Sequence, residues 1–109
     1  MADLLGAFEQ AVLLGVVRLR DEAYGRAILK DVQERLDREV AHGAVHATLV
    51  RLERKKLLTS ELGDGDEIRA GRPRRFYKLA PAGRKALTET RDTVDGLWAG
   101  LRTLRKGLS

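Results

Sequence analysis

The chain has 109 residues, which suits one domain with a single modest core and excludes two independent cores. It contains no cysteine, so disulfide frameworks, thiolate metal sites and cysteine catalysis are excluded. No apolar run approaches the roughly 18 residues of a membrane span, and the first residues lack the basic start of a signal peptide. We therefore expect a cytoplasmic protein with no membrane contact.

Positive charge is concentrated in the middle of the chain. Of 21 Lys and Arg residues and 16 Asp and Glu residues, 12 basic and 6 acidic ones lie between Gly43 and Arg91, which leaves 9 and 10 elsewhere. A locally basic surface beside near-neutral flanks predicts a contact with nucleic acid. The charge alone fits equally well with a solvated basic face that has no partner.

Two amphipathic helices are predicted in the first forty residues. Apolar residues recur at spacings of three and four through the first twenty positions, and the same period predicts a second helix from about Tyr24 to Arg38, with Gly25 near its start.

A third helix is predicted after the sequence AHGA at residues 41–44. Its apolar stripe is formed by Val45, Leu49 and Leu52. Ala47, Arg51 and Arg54 fall on the opposite side, and this helix therefore has a basic outward face.

A hairpin follows the third helix. Residues 57–62 and 74–79 have the composition of strands, and the residues between them have turn and loop chemistry. Phe76 and Tyr77 alternate across the second strand, so one of them should face the core.

A fourth helix is predicted to start at Pro81 and to run nearly to the C-terminus. Its apolar positions step by three and four as a heptad seam, formed by Leu87, Thr90, Val94, Leu97, Leu101, Leu104 and Leu108. Packing against the first helix can account for only part of this length, and the seam therefore predicts a homodimer. The predicted interface residues are Val94, Leu97, Trp98, Leu101 and Leu104.

Three helices followed by a basic hairpin is the order of a winged helix-turn-helix, in which the third helix enters the major groove. The predicted fold is mostly α with a small β hairpin. Residues 1–80 would form a DNA-binding domain and residues 81–109 a dimerisation helix, within one compact unit.

The sequences GAVHATLVRLERKKLL and GRPRRFYKLAPAGRKAL resemble the PadR family of winged-helix transcriptional regulators, in particular its short members with one C-terminal helix. The likeness extends from about Val12 to Leu101. It implies a dimeric, usually repressing DNA-binding protein, and some relatives of this kind respond to small aromatic or lipophilic effectors.

The chain departs from the family pattern at several positions. His46 stands where the family generally has tyrosine, Lys56 where it has glycine, and Ala80 where it has threonine. The family's His-Gly-Tyr at the start of the second helix is here Tyr-Gly-Arg, so that only Gly25 is kept. His46 could still donate to a phosphate, and the DNA sequence that is recognised does not transfer from a relative.

The predicted DNA contacts share positions on the second helix, the outward face of the third helix, and the hairpin. They are Gly25, Ala44, His46, Ala47, Arg51, Arg54, Arg72, Arg74 and Arg75. Arginines on the third helix are candidates for base edges or phosphates, and those on the hairpin for phosphates. For Arg51 and Arg54 the alternative is surface pairing with Glu53 or with Asp21 and Glu22.

Trp98 is the only tryptophan and lies between Gly96 and Gly100. One interpretation is a gap between dimer helices in which Trp98 stacks on a flat effector. The other is an interface anchor, with glycines that allow close helix approach.

Neither a metal, a cofactor nor an enzymatic activity is predicted. His42 and His46 have the spacing of two zinc ligands on one helix face, but Gly43 occupies the place of a catalytic glutamate and no third ligand is evident. Ser60 and Ser109 have no histidine near them in a catalytic motif.

The sequence thus predicts a homodimeric regulator, ligand-responsive in one interpretation, that binds a pseudo-palindromic site in double-stranded DNA and represses by occupancy. A first alternative is a winged helix that binds an acidic protein and has no DNA target. A second is a module for RNA or single strands, for which only Phe76 and Tyr77 could stack on bases.

Overall fold

The computed structural model describes residues 4–63, 68–69, 72–101 and 104, with only the backbone at positions 68, 69 and 72. In chain order the elements are α1 (Ala7–Leu19), a one-turn 3-10 helix (Arg20–Glu22), α2 (Gly25–Leu36), α3 (His42–Arg54), β1 (Leu58–Leu62), β2 (Ile68–Arg69), β3 (Arg72–Pro73), β4 (Arg75–Leu79) and α4 (Pro81–Trp98). This order confirms the predicted winged helix-turn-helix.

The core lies where the first three helices meet the hairpin. Each helix buries the apolar stripe that its spacing predicts, and β1 and β4 each add one buried side chain. The buried apolar residues are Leu5, Val12, Leu13, Val16, Ala23, Ile28, Val32, Val45, Leu49, Leu52, Leu58 and Tyr77.

The hairpin is antiparallel, with Leu58 opposite Leu79 and Leu62 opposite Arg75. Tyr77 is buried and its N–H donates to the Ala23 carbonyl at 2.8 Å, which confirms that one of the two hairpin aromatics faces the core. Beyond β1 and β4, the backbones of β2 and β3 also pair, in a region where the sequence predicted only loop. The acidic residues at positions 64, 66 and 67 lie outside the described residues.

The start of α4 is fixed against the base of the hairpin. The N–H of Ala80 donates to the Leu57 carbonyl at 3.0 Å, and Pro81 occupies the first turn, as predicted. Gly83 is buried there, and a Cβ on it would overlap the Leu57 carbonyl. Only glycine therefore allows α4 to approach the chain this closely.

The first half of the predicted seam belongs to the chain's own core. Leu87 packs against the core, and Thr90 is buried with its Oγ1 accepting the Leu5 N–H at 3.1 Å. Packing in cis thus accounts for part of the seam, as the sequence indicated.

The prediction that α4 runs nearly to the C-terminus is wrong, because the helix ends at Trp98. The N–H of Ala99 bonds to the Gly96 carbonyl, and Gly100 adopts φ 81°, which is left-handed. Two glycines in five residues weaken the helix, and the second one accommodates its termination. Leu104 lies beyond the helix, and Leu108 lies outside the described residues.

Among the helices that the structure describes, none has both the length and the apolar character needed to cross a membrane.

Candidate nucleic-acid interface

The outward face of α3 carries small and basic side chains. Val45, Thr48, Leu49 and Leu52 are buried, so the helix presents its other side to solvent. The five residues predicted there for DNA contact are all exposed, namely Ala44, His46, Ala47, Arg51 and Arg54. Small residues near the start of this face allow another backbone to approach closely.

Val50 also lies on this face and was missed by sequence reasoning. It is exposed, three residues after Ala47 and four before Arg54, and therefore between them on the helix surface. An exposed valine there offers an apolar contact to a thymine methyl group. A helical wheel places Val50 on the outward face, but a valine has neither the charge nor the small size that marks its neighbours.

Arg51 is paired with a carboxylate that the sequence did not suggest. Its Nε donates to Glu9 Oε2 at 3.4 Å, and Lys55 Nζ lies at 3.4 Å from the same oxygen. The partner is thus on α1, not at Glu53 or at residues 21–22. Arg54 forms no ion pair with the part of the chain that the structure describes.

The Glu9 carboxylate is held ionised by its surroundings. Burial alone would raise its pKa, but the Gly6 N–H, which donates to Oε1 at 3.3 Å, and the side chains of Arg51 and Lys55 outweigh burial. The pKa of Glu9 therefore lies below its ordinary value of 4.5.

Gly25 and Arg74 are brought to the same place, at the start of α2. The Arg74 guanidinium lies 4.2 Å from the ring centroid of Tyr24, the residue that precedes the helix, and Phe76 packs edge-on against Tyr24 with the ring centroids 5.7 Å apart. This stacking holds a positive charge on the side chain that precedes α2, whose first N–H groups have no partner within the helix. Such a pair of features favours an anion.

Arg75 is connected to the end of α3 through Ser60. Its Nη1 donates to Ser60 Oγ at 3.0 Å, and that hydroxyl donates to Glu53 Oε2 at 2.7 Å. The hairpin and α3 are therefore connected by polar contacts. Arg72 lies on β3 by its backbone, and its side chain is outside the described residues.

The two histidines do not assemble a metal site with other described residues. His42 and His46 are both exposed on α3. Among the described residues, there is no group of three His, Cys, Asp or Glu side chains close enough to hold an ion.

A second feature is an open groove of about 750 Å³ that is bordered by α1, β4 and α4. Its lining includes Leu14, Val17, Leu87 and Val94, and the two α1 residues are 40% and 45% exposed. Only Val94 of the five predicted interface residues lines the groove. The other four, Leu97, Trp98, Leu101 and Leu104, lie further along the chain and are 45–68% exposed.

The amino-acid sequence of the chain matches the model of one protein family. The model described as the transcriptional regulator PadR-like family matches residues 13–89. The chain belongs to the PadR-like family. The matched range includes α2, α3, the hairpin and the first half of α4.

Individual relatives agree with this membership. Transcriptional regulator Rv3488 of Mycobacterium tuberculosis is 45% identical over 58 residues, which are 53% of this chain and 50% of that protein. The aligned segment therefore spans about half the length of that relative.

Solved structures have the same fold. A PadR family transcription regulator from Clostridium difficile R20291 is 25% identical with a TM-score of 0.64, covering 93% of this chain and 96% of that one. A PadR family regulator from Eggerthella lenta is 27% identical with a TM-score of 0.66, covering 89% and 82%. A PadR-like transcription factor from Bacteroides fragilis, at 24% identity and a TM-score of 0.68 over 88% and 87%, supports the fold.

PadR-like membership confirms the resemblance and the class of function. The chain belongs to a family of transcriptional regulators, not of enzymes.

Proposed function

We propose that this PadR-like chain binds a pseudo-palindromic site in double-stranded DNA as a homodimer and represses transcription by occupying it. The observation that carries the proposal is the outward face of α3, where exposed small residues are followed by exposed arginines. A helix with this face fits the major groove, and its arginines suit guanine edges.

The residues divide into base contacts and phosphate contacts. Arg54 lies opposite the buried stripe of α3 and is the principal candidate for a guanine edge, with Val50 as a contact for a thymine methyl group. Ala44 and Ala47 let the helix backbone approach the bases. In this proposal, the preference for one DNA sequence comes from α3.

Phosphate contacts are assigned to the surroundings of that helix. Arg74 and the N–H of Gly25 form one cationic position, Arg75 another, and His46 and Arg72 are further candidates. Phosphate contacts fix the orientation of a protein on the duplex and supply most of the salt-dependent affinity.

The homodimer is supported by two apolar surfaces that no other residue in the described part of the chain covers. One is the groove bordered by Leu14 and Val17 of α1, and the other is the exposed end of α4 with Leu97 and Trp98. A second copy can cover both at once if the end of each α4 enters the groove of the other. A two-fold pair of recognition helices then matches two half-sites.

Ligand response is the finer part of the proposal. Trp98 is 45% exposed at the end of α4, and a planar lipophilic compound that stacks on it in the dimer gap would change the separation of the two recognition helices. Planar compounds should change Trp98 fluorescence and weaken operator binding together. If no compound of such a panel does both, Trp98 is an interface anchor only.

The DNA proposal is tested by selecting bound fragments from the host genome at two salt concentrations. A dimer that neutralises about six to ten phosphates should show a log–log salt slope of about −5 to −9. A slope near zero, or equally weak binding of random and genomic duplexes at physiological salt, would support the protein-binding alternative. Stronger binding of RNA than of duplex DNA would support the alternative of a module for RNA or single strands.

Arg54→Ala is the variant that tests base contact. It should weaken binding to an enriched fragment by about 5- to 150-fold, which corresponds to about 1–3 kcal/mol, and should affect random duplex much less. Lys85→Ala removes an exposed cation from the first turns of α4 and serves as the control, with little effect on either duplex.

A further inference from the structure

Glu9, on α1, pairs with two cations at the C-terminal end of α3, namely Arg51 and Lys55, the residue that follows the helix. Its Oε2 lies at 3.4 Å from both Arg51 Nε and Lys55 Nζ, and its Oε1 accepts the Gly6 N–H at 3.3 Å. The Glu9 side chain is only 15% exposed. Both carboxylate oxygens are therefore engaged, and the side chain has little freedom to turn away.

The backbone that carries Glu9 is itself held in place. The N–H of Leu5 donates to the buried Thr90 Oγ1 of α4 at 3.1 Å, and Gln10 Nε2 donates to the Leu5 carbonyl at 3.1 Å. The residue that leads into α1 is thus tied to α4, and the first turn of α1 is tied to α3. The position of the carboxylate relative to α3 is set by the fold.

Arg51 is held from two sides. In addition to Glu9, the hydroxyl of the buried Thr48 lies at 3.4 Å from its Nη2. Its side chain remains 48% exposed, so part of the guanidinium still faces outward beside Ala47 and Arg54. An arginine restrained in this way loses less side-chain freedom when it binds a base edge.

The charge of Glu9 acts differently on the two kinds of DNA contact. Binding to any duplex depends on how many phosphates are neutralised, whereas preference for one sequence depends on base edges. By pairing with Arg51 and Lys55, Glu9 reduces the positive charge that is available to neutralise phosphates. By restraining Arg51, Glu9 favours contact with a base edge.

We propose that Glu9 is a positioning residue for DNA discrimination: it orients Arg51 for a base edge and withholds Arg51 and Lys55 from phosphates. This inference rests on the proposed function, since it requires that α3 contacts DNA. Glu9 itself touches no DNA. It raises the ratio of operator affinity to affinity for other duplexes.

The test compares wild type and Glu9→Gln on a fragment enriched from the host genome and on random duplex of equal length, across a salt titration. Each protomer of the variant should gain about one phosphate contact, which steepens the slope for a dimer by about 2. Random duplex should bind about 3- to 10-fold more tightly at low salt, and the affinity ratio should fall about tenfold.

Further variants separate positioning from charge. Glu9→Asp keeps the charge but shortens the side chain, so it should retain the wild-type slope and still lose part of the affinity ratio. In an Arg51→Ala background, Glu9→Gln should no longer change the ratio. Glu89→Gln, which neutralises an exposed carboxylate on α4, should leave the ratio unchanged.

Four results would contradict the proposed role of Glu9. Equal changes for both duplexes, or a loss of ratio that persists without Arg51, would reduce Glu9 to a bulk charge and overturn the inference. A wild-type chain that discriminates between duplexes while Glu9→Gln matches it would overturn the inference alone. A wild-type chain that binds no duplex would overturn the proposed function together with it.

Discussion

Lys56 occupies a backbone conformation that disfavours its side chain. Its φ is 66°, in the left-handed region, at the turn between α3 and β1. A Cβ in this region costs roughly 1 kcal/mol, and glycine avoids the cost. We expect Lys56→Gly to raise the free energy of unfolding by about 0.5–1 kcal/mol, measured by urea denaturation.

A matched variant separates the backbone effect from the charge of Lys56. Lys56→Ala also removes the cation but keeps a Cβ, so it should show no such gain. If alanine stabilises the fold as much as glycine does, charge repulsion and not the backbone is the reason.

The ion pairs of Glu9 predict how stability depends on pH. Because the pKa of Glu9 in the folded state is below the ordinary value of 4.5, its carboxylate stabilises the fold fully above that pH. This contribution is lost as the pH falls through the lower folded pKa. We expect Glu9→Gln to flatten the curve of unfolding free energy against pH below about 4.5, and to have the same slope as wild type near neutrality.

At the scale of elements, sequence patterns predicted the features that depend on residues close together in the chain. The stripe of Val45, Leu49 and Leu52 determined both the existence of α3 and which face is outward. Alternation predicted that one of Phe76 and Tyr77 faces the core, and that residue is Tyr77; Pro81 marked the start of α4. These features depend on residues within one turn or one strand.

Features that depend on distant residues were not predictable. The contact between Glu9 and Arg51 joins positions 42 apart in the chain, and Thr90 was assigned to the heptad seam although it binds Leu5. The end of α4 at Trp98 depends on nearby glycines, but it was missed because the heptad spacing continues past Gly100. The spacing of apolar residues does not indicate how much free energy a glycine costs in a helix.

The junction between the hairpin and α4 depends on Gly83. A Cβ at this position would overlap the Leu57 carbonyl and press on Leu79, so the backbone must shift. We expect Gly83→Ala to lower the free energy of unfolding by about 1–3 kcal/mol in urea denaturation, in spite of the better helix propensity of alanine.

Gly96→Ala is the comparison for that result. Gly96 lies in the same helix with open space around its Cα, so alanine there should stabilise by about 0.5–1 kcal/mol. If both glycines respond alike, helix propensity and not the close approach to Leu57 governs α4.

At the scale of the whole molecule, the residues proposed to contact DNA lie on α3 and the hairpin, and those proposed to contact a second copy lie in the groove and at the exposed end of α4. If these assignments hold, assembly can change without loss of α3. A variant that acts on assembly alone should therefore change affinity through the number of half-sites bound.

Leu97→Glu is that variant. Leu97 is 68% exposed within the chain, so glutamate should leave the unfolding of the protomer unchanged while placing a charge in the proposed interface. We expect a monomer by sedimentation at micromolar concentration, at least about tenfold weaker binding to an enriched fragment, and a salt slope about half that of wild type, because a monomer reaches only one half-site. Asp92→Arg, an exposed charge change on another side of α4, should remain dimeric. A Leu97→Glu protein that is still a dimer would place the interface elsewhere, and a wild-type monomer with full affinity would remove the two-fold model.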